Sequence, residues 1–338
     1  MNARRPGALF LAACALLAAA CRAPRAAPPA FDSRAPDRLE RPAAPPRFFA
    51  FGDFGTGGKG QARVAAGMAA RAQATPPDFF VLLGDNFYPD GVASSDDSKW
   101  RTHFEEPYAA PCFARDFYVA LGNHDHRGSV QAQLDYGASH ARWQLPAPWY
   151  AFTVALPSGA TADFFVLDTT QLVDETQVAA AQLSWLADAL GKSSGRWQIV
   201  VGHHPVRSTQ SRGLADYRER LEPVLAGFGV DLALFGHDHF SQWLPPSALR
   251  SVSSSSSSGS SSSAARGAGE LDELHVAIAG GGGGADNADS ITPNAAATWS
   301  ATGGGFADVT LSEERIVIEF ADADGKTQSR FEIAGGTP

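Results

Sequence analysis

Phe48-Phe49-Ala50-Phe51-Gly52-Asp53-Phe54-Gly55 reads as a buried strand that stops at a glycine and hands over an aspartate. Four consecutive apolar residues suit a strand covered on both faces. The pattern recurs along the chain. Phe79–Leu83 leads into Gly84-Asp85-Asn86-Phe87-Tyr88, and Phe117–Leu121 into Gly122-Asn123-His124-Asp125. Gln198–Val201 leads into Gly202-His203, and Leu232–Phe235 into Gly236-His237-Asp238-His239. Helices are expected at Gly60–Ala74, Val178–Leu190 and Ala215–Ala226. A further strand is expected at Phe164–Leu167, and a late β-rich run at His275–Ala279, Phe306–Leu311, Arg315–Phe320 and Gln328–Ile333. Alternating β and α followed by that run predicts two sheets packed between helices. The expected class is therefore α/β, a four-layer α/β/β/α sandwich of two mixed sheets. Its polar clusters would sit on loops at the carboxyl ends of strands.

Those clusters carry a metal-ligand chemistry. Asp53, Asp85 and Asn123 offer oxygen, His203, His237 and His239 offer nitrogen, and Tyr88 offers a phenolate suited to Fe(III). Such N/O sets favour Fe, Zn or Mn over thiophilic metals. Seven donors exceed one metal and fit two, provided one carboxylate bridges them. Any one Asp or Asn after a glycine is ordinary turn or N-cap chemistry. Clustering carries the argument: six of the nine histidines lie in or beside these five segments.

Taken together, GDFG, GDNFY, GNHDH, GHHPV and GHDH resemble the motifs of purple acid phosphatases, within the calcineurin-like metallophosphoesterases. The likeness is to the small tartrate-resistant type and extends between motifs, through GNHDHRGSVQAQLDY, FFVLDT and QLSWL, over roughly residues 46–335. The resemblance implies a ferric site of Asp53, Asp85, Tyr88 and His239. It implies a divalent site (Fe, Zn or Mn) of Asp85, Asn123, His203 and His237, with Asp85 bridging. His124 would contact phosphate or protonate the leaving group, beside Asn123. A metal-bound hydroxide would attack phosphate monoesters. His203 is preferred to His204 as ligand because the family's histidine stands two residues before a proline, here Pro205. His204 falls near the substrate or behind the ligands. The alternatives are a phosphodiesterase or nucleotidase on the same scaffold, or a protein that holds iron or phosphate with little turnover.

The chain also departs from the mammalian pattern. Arg212 stands where those relatives carry a substrate-facing histidine, so a guanidinium is expected to hold phosphate oxygens there. Thr170–Ala181 is short where they carry a long regulatory loop, and their disulfide has no cysteine counterpart. Gly280–Gly284 is expected to form either a phosphate-approaching nest or a mobile loop.

Composition bounds the partners. The 338 residues carry a formal charge of −9. Residues 1–45 hold seven Arg against three acidic residues, leaving 20 basic and 33 acidic residues in the remainder. That balance argues against nucleic acid and against an anionic membrane surface. A small phosphorylated substrate is the expected partner, drawn in by the local site. Arg4, Arg5 and the apolar stretch Leu9–Ala20 make residues 1–20 an expected export signal of a bacterial type. Leu17-Ala18-Ala19-Ala20-Cys21 resembles a lipoprotein cleavage box, so Cys21 is an expected lipid anchor, with plain secretion as the alternative. Residues 21–45, rich in Ala, Pro and Arg, are expected to tether the domain at 46–335. Cys112 is then alone and expected to be at least half-buried. The Ser-rich stretch 251–269 is a low-complexity insertion unable to build core.

Overall fold

In the computed structural model, residues 42–174, 176–208, 214–246, 274–283 and 299–335 are described. The expected export signal, Cys21, most of the tether, Arg212 and the Ser-rich insertion lie outside the described residues.

The chain lays down β1 (Arg47–Phe51), β2 (Phe79–Leu83), β3 (Phe117–Ala120) and β4 (Trp143–Gln144) as parallel neighbours in the first sheet. It then builds the second sheet from β5 (Tyr150–Ala155), β6 (Thr161–Val166), β7 (Trp197–Val201), β8 (Leu232–Phe235), β9 (Phe240–Leu244), β10 (His275–Ala279) and β11 (Trp299–Thr302). β12 (Gly305–Leu311), β13 (Arg315–Asp322) and β14 (Thr327–Ala334) return antiparallel to close the first sheet beyond β1. The strand orders are β14-β13-β12-β1-β2-β3-β4 and β11-β9-β10-β8-β7-β6-β5. Within the second sheet β6, β7, β8 and β10 are parallel, β5 and β9 run against them, and β11 pairs antiparallel with β9 and so runs with the parallel set. Both sheets are thus mixed, as the sequence predicts.

Alternation along the strands sorts the layers. Trp197, Ile199 and Val201 of β7, with Leu232 and Leu234 of β8, enter the core shared with the first sheet. There Phe164 meets the rings of Phe48 and Phe79 at 5.6 and 5.9 Å, and Phe152 stacks on Tyr118 at 3.7 Å. The intervening Val200, Ala233 and Phe235 face outward, with Val276 and Ile278. They pack against α4 (Ala179–Lys192) and α5 (Ala215–Gly227) through Leu186, Leu190, Leu221 and Leu225. On the far side, α1 (Lys59–Arg71) covers the first sheet with Val64 and Met68, and α2 (Val130–Ser139) adds Tyr136. Removing one of the inter-sheet rings would cost about 3–5 kcal/mol.

Some elements were not foreseen. β4 is only two residues long, β5, β9 and β11 pair antiparallel with their neighbours at the margins of the second sheet's parallel set, and α2 and the short α3 (Thr169–Val173) are stretches with weak apolar periodicity. Gly280–Gly283 is a buried packing segment, not a mobile loop. A Cβ on Gly282 would lie 2.4 Å from the Gly52 carbonyl oxygen, so only glycine lets this segment lie against the end of β1. Cys112 is half-buried with a free thiol. Among the described residues, no helix is long and apolar enough to cross a membrane.

Candidate metal centre

The loops after β1, β2 and β3 meet those after β7 and β8 on one rim of the sandwich. Contacts between the sheets fix the meeting. His237 N–H donates to Asp53 Oδ2 at 2.8 Å, and His203 Nε2 lies 3.4 Å from Asp85 Oδ1. Asp53, Asp85 and His237 adopt left-handed backbone, with φ of 58°, 52° and 69°. Each such residue costs about 1–3 kcal/mol, a strain that clusters at functional sites. All three belong to the expected ligand set. Gly122 also has a reason to be glycine, because a Cβ there would sit 2.2 Å from Asp85 Oδ1.

Two groups of donors form around Asp85. The Tyr88 hydroxyl lies 2.9 Å from Asp85 Oδ2, 3.2 Å from Asp53 Oδ1 and 3.2 Å from His239 Nε2. On the other side, His203 Nε2 lies 3.1 Å from Asn123 Oδ1 and 3.3 Å from His237 Nδ1. The structure therefore gathers all seven expected ligands around Asp85. His203 Nδ1 donates to the Leu83 carbonyl at 2.8 Å, which leaves Nε2 to face the centre. His124 lies at the edge, its Nε2 3.9 Å from Asp85 Oδ2 and its backbone N–H donating to Asp85 Oδ1 at 2.8 Å.

The donor set fits a cation. Asp53 and Asp85 are 0% and 2% exposed, and neither pairs with Lys or Arg among the described residues. Buried carboxylates need a partner, by pairing or by metal coordination. Burial, with Asp53 and Asp85, pushes the Tyr88 phenol far above its ordinary range, so it would ionise there only against a bound cation. Burial alone would raise Asp85, but His203 and His124 hold it well below the usual carboxylate range. Burial and the adjacent His203 lower His237 to about 4, which keeps its ring neutral and its lone pair available. Asp53, Asp85 and His203 also place one ligand atom each within 4.8 Å of one another, as do His203, His204 and His237.

His204 nevertheless has its Nδ1 committed. The Thr169 hydroxyl accepts from the backbone N–H of His203 at 3.2 Å and of His204 at 2.9 Å. Both its lone pairs are then used, so its own O–H donates to His204 Nδ1 at 3.0 Å. Neutral His204 must carry its proton on Nε2 and lacks a ligating lone pair. Burial and its neighbours His203 and His237 hold it neutral, well below its ordinary range. Its ring packs on His237 with centroids 4.4 Å apart, so it supports a ligand from behind.

Two further groups escaped the sequence reading. Asp125, fully buried, accepts from the backbone N–H of Gly122 and Asn86 and the side-chain amides of Asn86 and Gln133. It joins the loop of Asp85 to that of Asn123. Buried Asp168, after β6, receives His126 Nε2 at 2.9 Å and so ties the first sheet's His124 turn to the second sheet. The aspartates of GNHD and of Phe164-Phe165-Val166-Leu167-Asp168-Thr169 carried the signal, without any indication of their partners.

The chain matches the calcineurin-like phosphoesterase family over residues 46–241. It is 35% identical over 226 residues to rat tartrate-resistant acid phosphatase type 5, covering 60% of this chain and 69% of the relative. It is 34% identical to Arabidopsis thaliana purple acid phosphatase 17, covering 58% of this chain and 62% of that one. Among solved structures, yellow lupin purple acid phosphatase PPD1 superposes with a TM-score of 0.62 at 17% identity, over 87% of this chain and 54% of that chain. GAP50, described as an anchor in the inner membrane complex of Plasmodium, superposes at 0.72 and 22% identity, over 87% and 90%. Fold alone therefore does not decide activity. On sequence and fold together, the chain belongs to the calcineurin-like metallophosphoesterases, hydrolases whose homologues here are named tartrate-resistant and purple acid phosphatases.

Proposed function

We propose that this chain hydrolyses phosphate monoesters at a two-metal centre, as an acid phosphatase. The observation that carries the reading is the Tyr88 hydroxyl within 3.2 Å of Asp53, Asp85 and His239, beside a second cluster of Asp85, Asn123, His203 and His237. Asp53, Asp85, Tyr88 and His239 would hold Fe(III), and the second cluster a divalent Fe, Zn or Mn. Bound there, the pair supplies an activated water and counter-charge for the phosphoryl oxygens.

The protein's own groups do the remaining work. The Pro89 carbonyl, 2.5 Å from His124 Nδ1, only accepts, so Nδ1 carries a hydrogen and Nε2 turns toward Asp85. From Nε2 a proton passes to the departing alkoxide. Asp125 and the His126–Asp168 contact keep the turn bearing Asn123 and His124 in place. His204 holds the His237 ring. The acidic balance favours a small phosphorylated substrate over nucleic acid. Export, with a lipid anchor at Cys21, fits the amino-terminal sequence.

One preparation tests the reading: metal analysis, a visible spectrum, and turnover of an aryl phosphate monoester against the matching diester. About two metals per chain, one of them iron, with faster monoester hydrolysis is expected. Faster diester hydrolysis would replace the reading with a phosphodiesterase. Bound metal without turnover of either would point to a binding protein.

A further inference from the structure

Arg127 lies beside the proposed proton donor without being used by it. Its guanidinium Nη1 is 3.2 Å from His124 Nδ1. That nitrogen already carries a hydrogen directed at the Pro89 carbonyl, 2.5 Å away, so it cannot accept from a guanidinium. Arg127 is exposed, and among the described residues no carboxylate lies within 4.0 Å of it. Its donors therefore remain available at the mouth of the site.

The base of this side chain is held firmly. Arg127 N–H donates to the His124 carbonyl at 3.2 Å, and that carbonyl also accepts from Gly91 N–H at 2.8 Å. Ser129 N–H donates to Val92 at 2.8 Å, so the whole turn is bound to the segment that follows Tyr88. His124 presents Nε2 to Asp85 and the opposite nitrogen toward Arg127. If His124 protonates the leaving oxygen, the leaving group departs over this ring. Arg127 is the cation it then meets.

We propose that Arg127 is a specificity-determining residue that binds a second oxyanion on the leaving-group side of the substrate. The favoured substrates are phosphate esters whose leaving group bears a carboxylate or another phosphate close to the scissile bond. A guanidinium fork matches either oxyanion with two parallel hydrogen bonds, which an ammonium cannot reproduce. The proposal rests on the monoesterase reading given above.

The test compares phenyl phosphate with 3-carboxyphenyl phosphate in wild type, Arg127→Ala and Arg127→Lys. Dividing the change for one ester by the change for the other removes their differing intrinsic reactivity. Arg127→Ala is expected to lower kcat/KM for the carboxylated ester about tenfold more than for phenyl phosphate, the scale of a lost hydrogen bond to a charged group. Arg127→Lys should recover part of that difference, and metal content should stay constant across the three proteins. An equal factor for both esters, or no change in either, overturns the proposal. If the wild type hydrolyses neither ester, the monoesterase reading fails first and takes this one with it.

Discussion

Asp125 should be the most costly single polar side chain to remove from this domain, although it is expected to touch neither metal nor substrate. Three N–H groups, on Gly122, Asn86 and the Gln133 amide, have it as their acceptor, at 2.8, 3.2 and 2.9 Å. The Asn86 amide adds a fourth bond at 3.1 Å and has a second acceptor in the Ala120 carbonyl. Burial and the nearby Asp85 push the Asp125 carboxyl up to about 6, and these donors pull against that shift. Asp125→Ala orphans three buried donors at about 1–3 kcal/mol each, so a loss of about 3 kcal/mol or more is expected even after water enters. That is a large share of the roughly 5–15 kcal/mol stability of a domain. Asp125→Asn should behave differently. Gln133 Oε1 is buried without a partner, so a rotated Gln133 amide can accept from the new NH2 group. The expected loss is then about 1 kcal/mol, one charge-assisted bond exchanged for a neutral one. Urea denaturation at fixed metal concentration measures both variants, and metal content reports whether Asp85 and Asn123 stay aligned. The double variant Asp125→Asn, Gln133→Leu should lose more than the sum of the single changes. If Asp125→Ala is within about 1 kcal/mol of wild type, or if Asn costs as much as Ala, the hub reasoning is wrong.

Tyr88→Phe should abolish a visible charge-transfer band while leaving the far-UV spectrum intact; a variant that keeps its colour removes the tyrosinate–iron assignment. Asp85→Asn should lose metal and turnover together, whereas His124→Ala should keep both metals and lose turnover about 10²–10⁴-fold, the usual yield of general acid catalysis. Metal release from His124→Ala would mean the ligand set is misassigned. Gly282→Ala forces a Cβ to within 2.4 Å of the Gly52 carbonyl and should destabilise the domain by about 1–3 kcal/mol, read as a lowered Tm. An unchanged Tm would show that the Gly280–Gly283 segment moves aside at little cost.

The sequence alone determined the local chemistry. β1, β2, β3, β6, β7, β8 and β10 announced themselves as apolar runs, because burial on both faces leaves no room for alternation, whereas the two-residue β4 was too short to show. Each ligand followed at the strand's carboxyl end, where a glycine admits the tight approach. The donor list, the family resemblance and the two-sheet class were all legible there. Tertiary structure decided everything that depends on two distant segments meeting. Nothing local shows that the aspartate of GNHD will collect donors from Gly122, Asn86 and Gln133, or that Asp168 will receive His126. The protonation of His204 follows from a hydroxyl 35 positions away, whose two lone pairs are filled by backbone N–H groups. The left-handed backbone of Asp53, Asp85 and His237 is likewise invisible in residue type, since aspartate and histidine carry no obligation to adopt it. Propensity and patterning act over a few residues, whereas the candidate metal centre joins residues as far apart as His237 and Asp53, 184 positions along the chain. Only the packing of one sheet on the other brings them together.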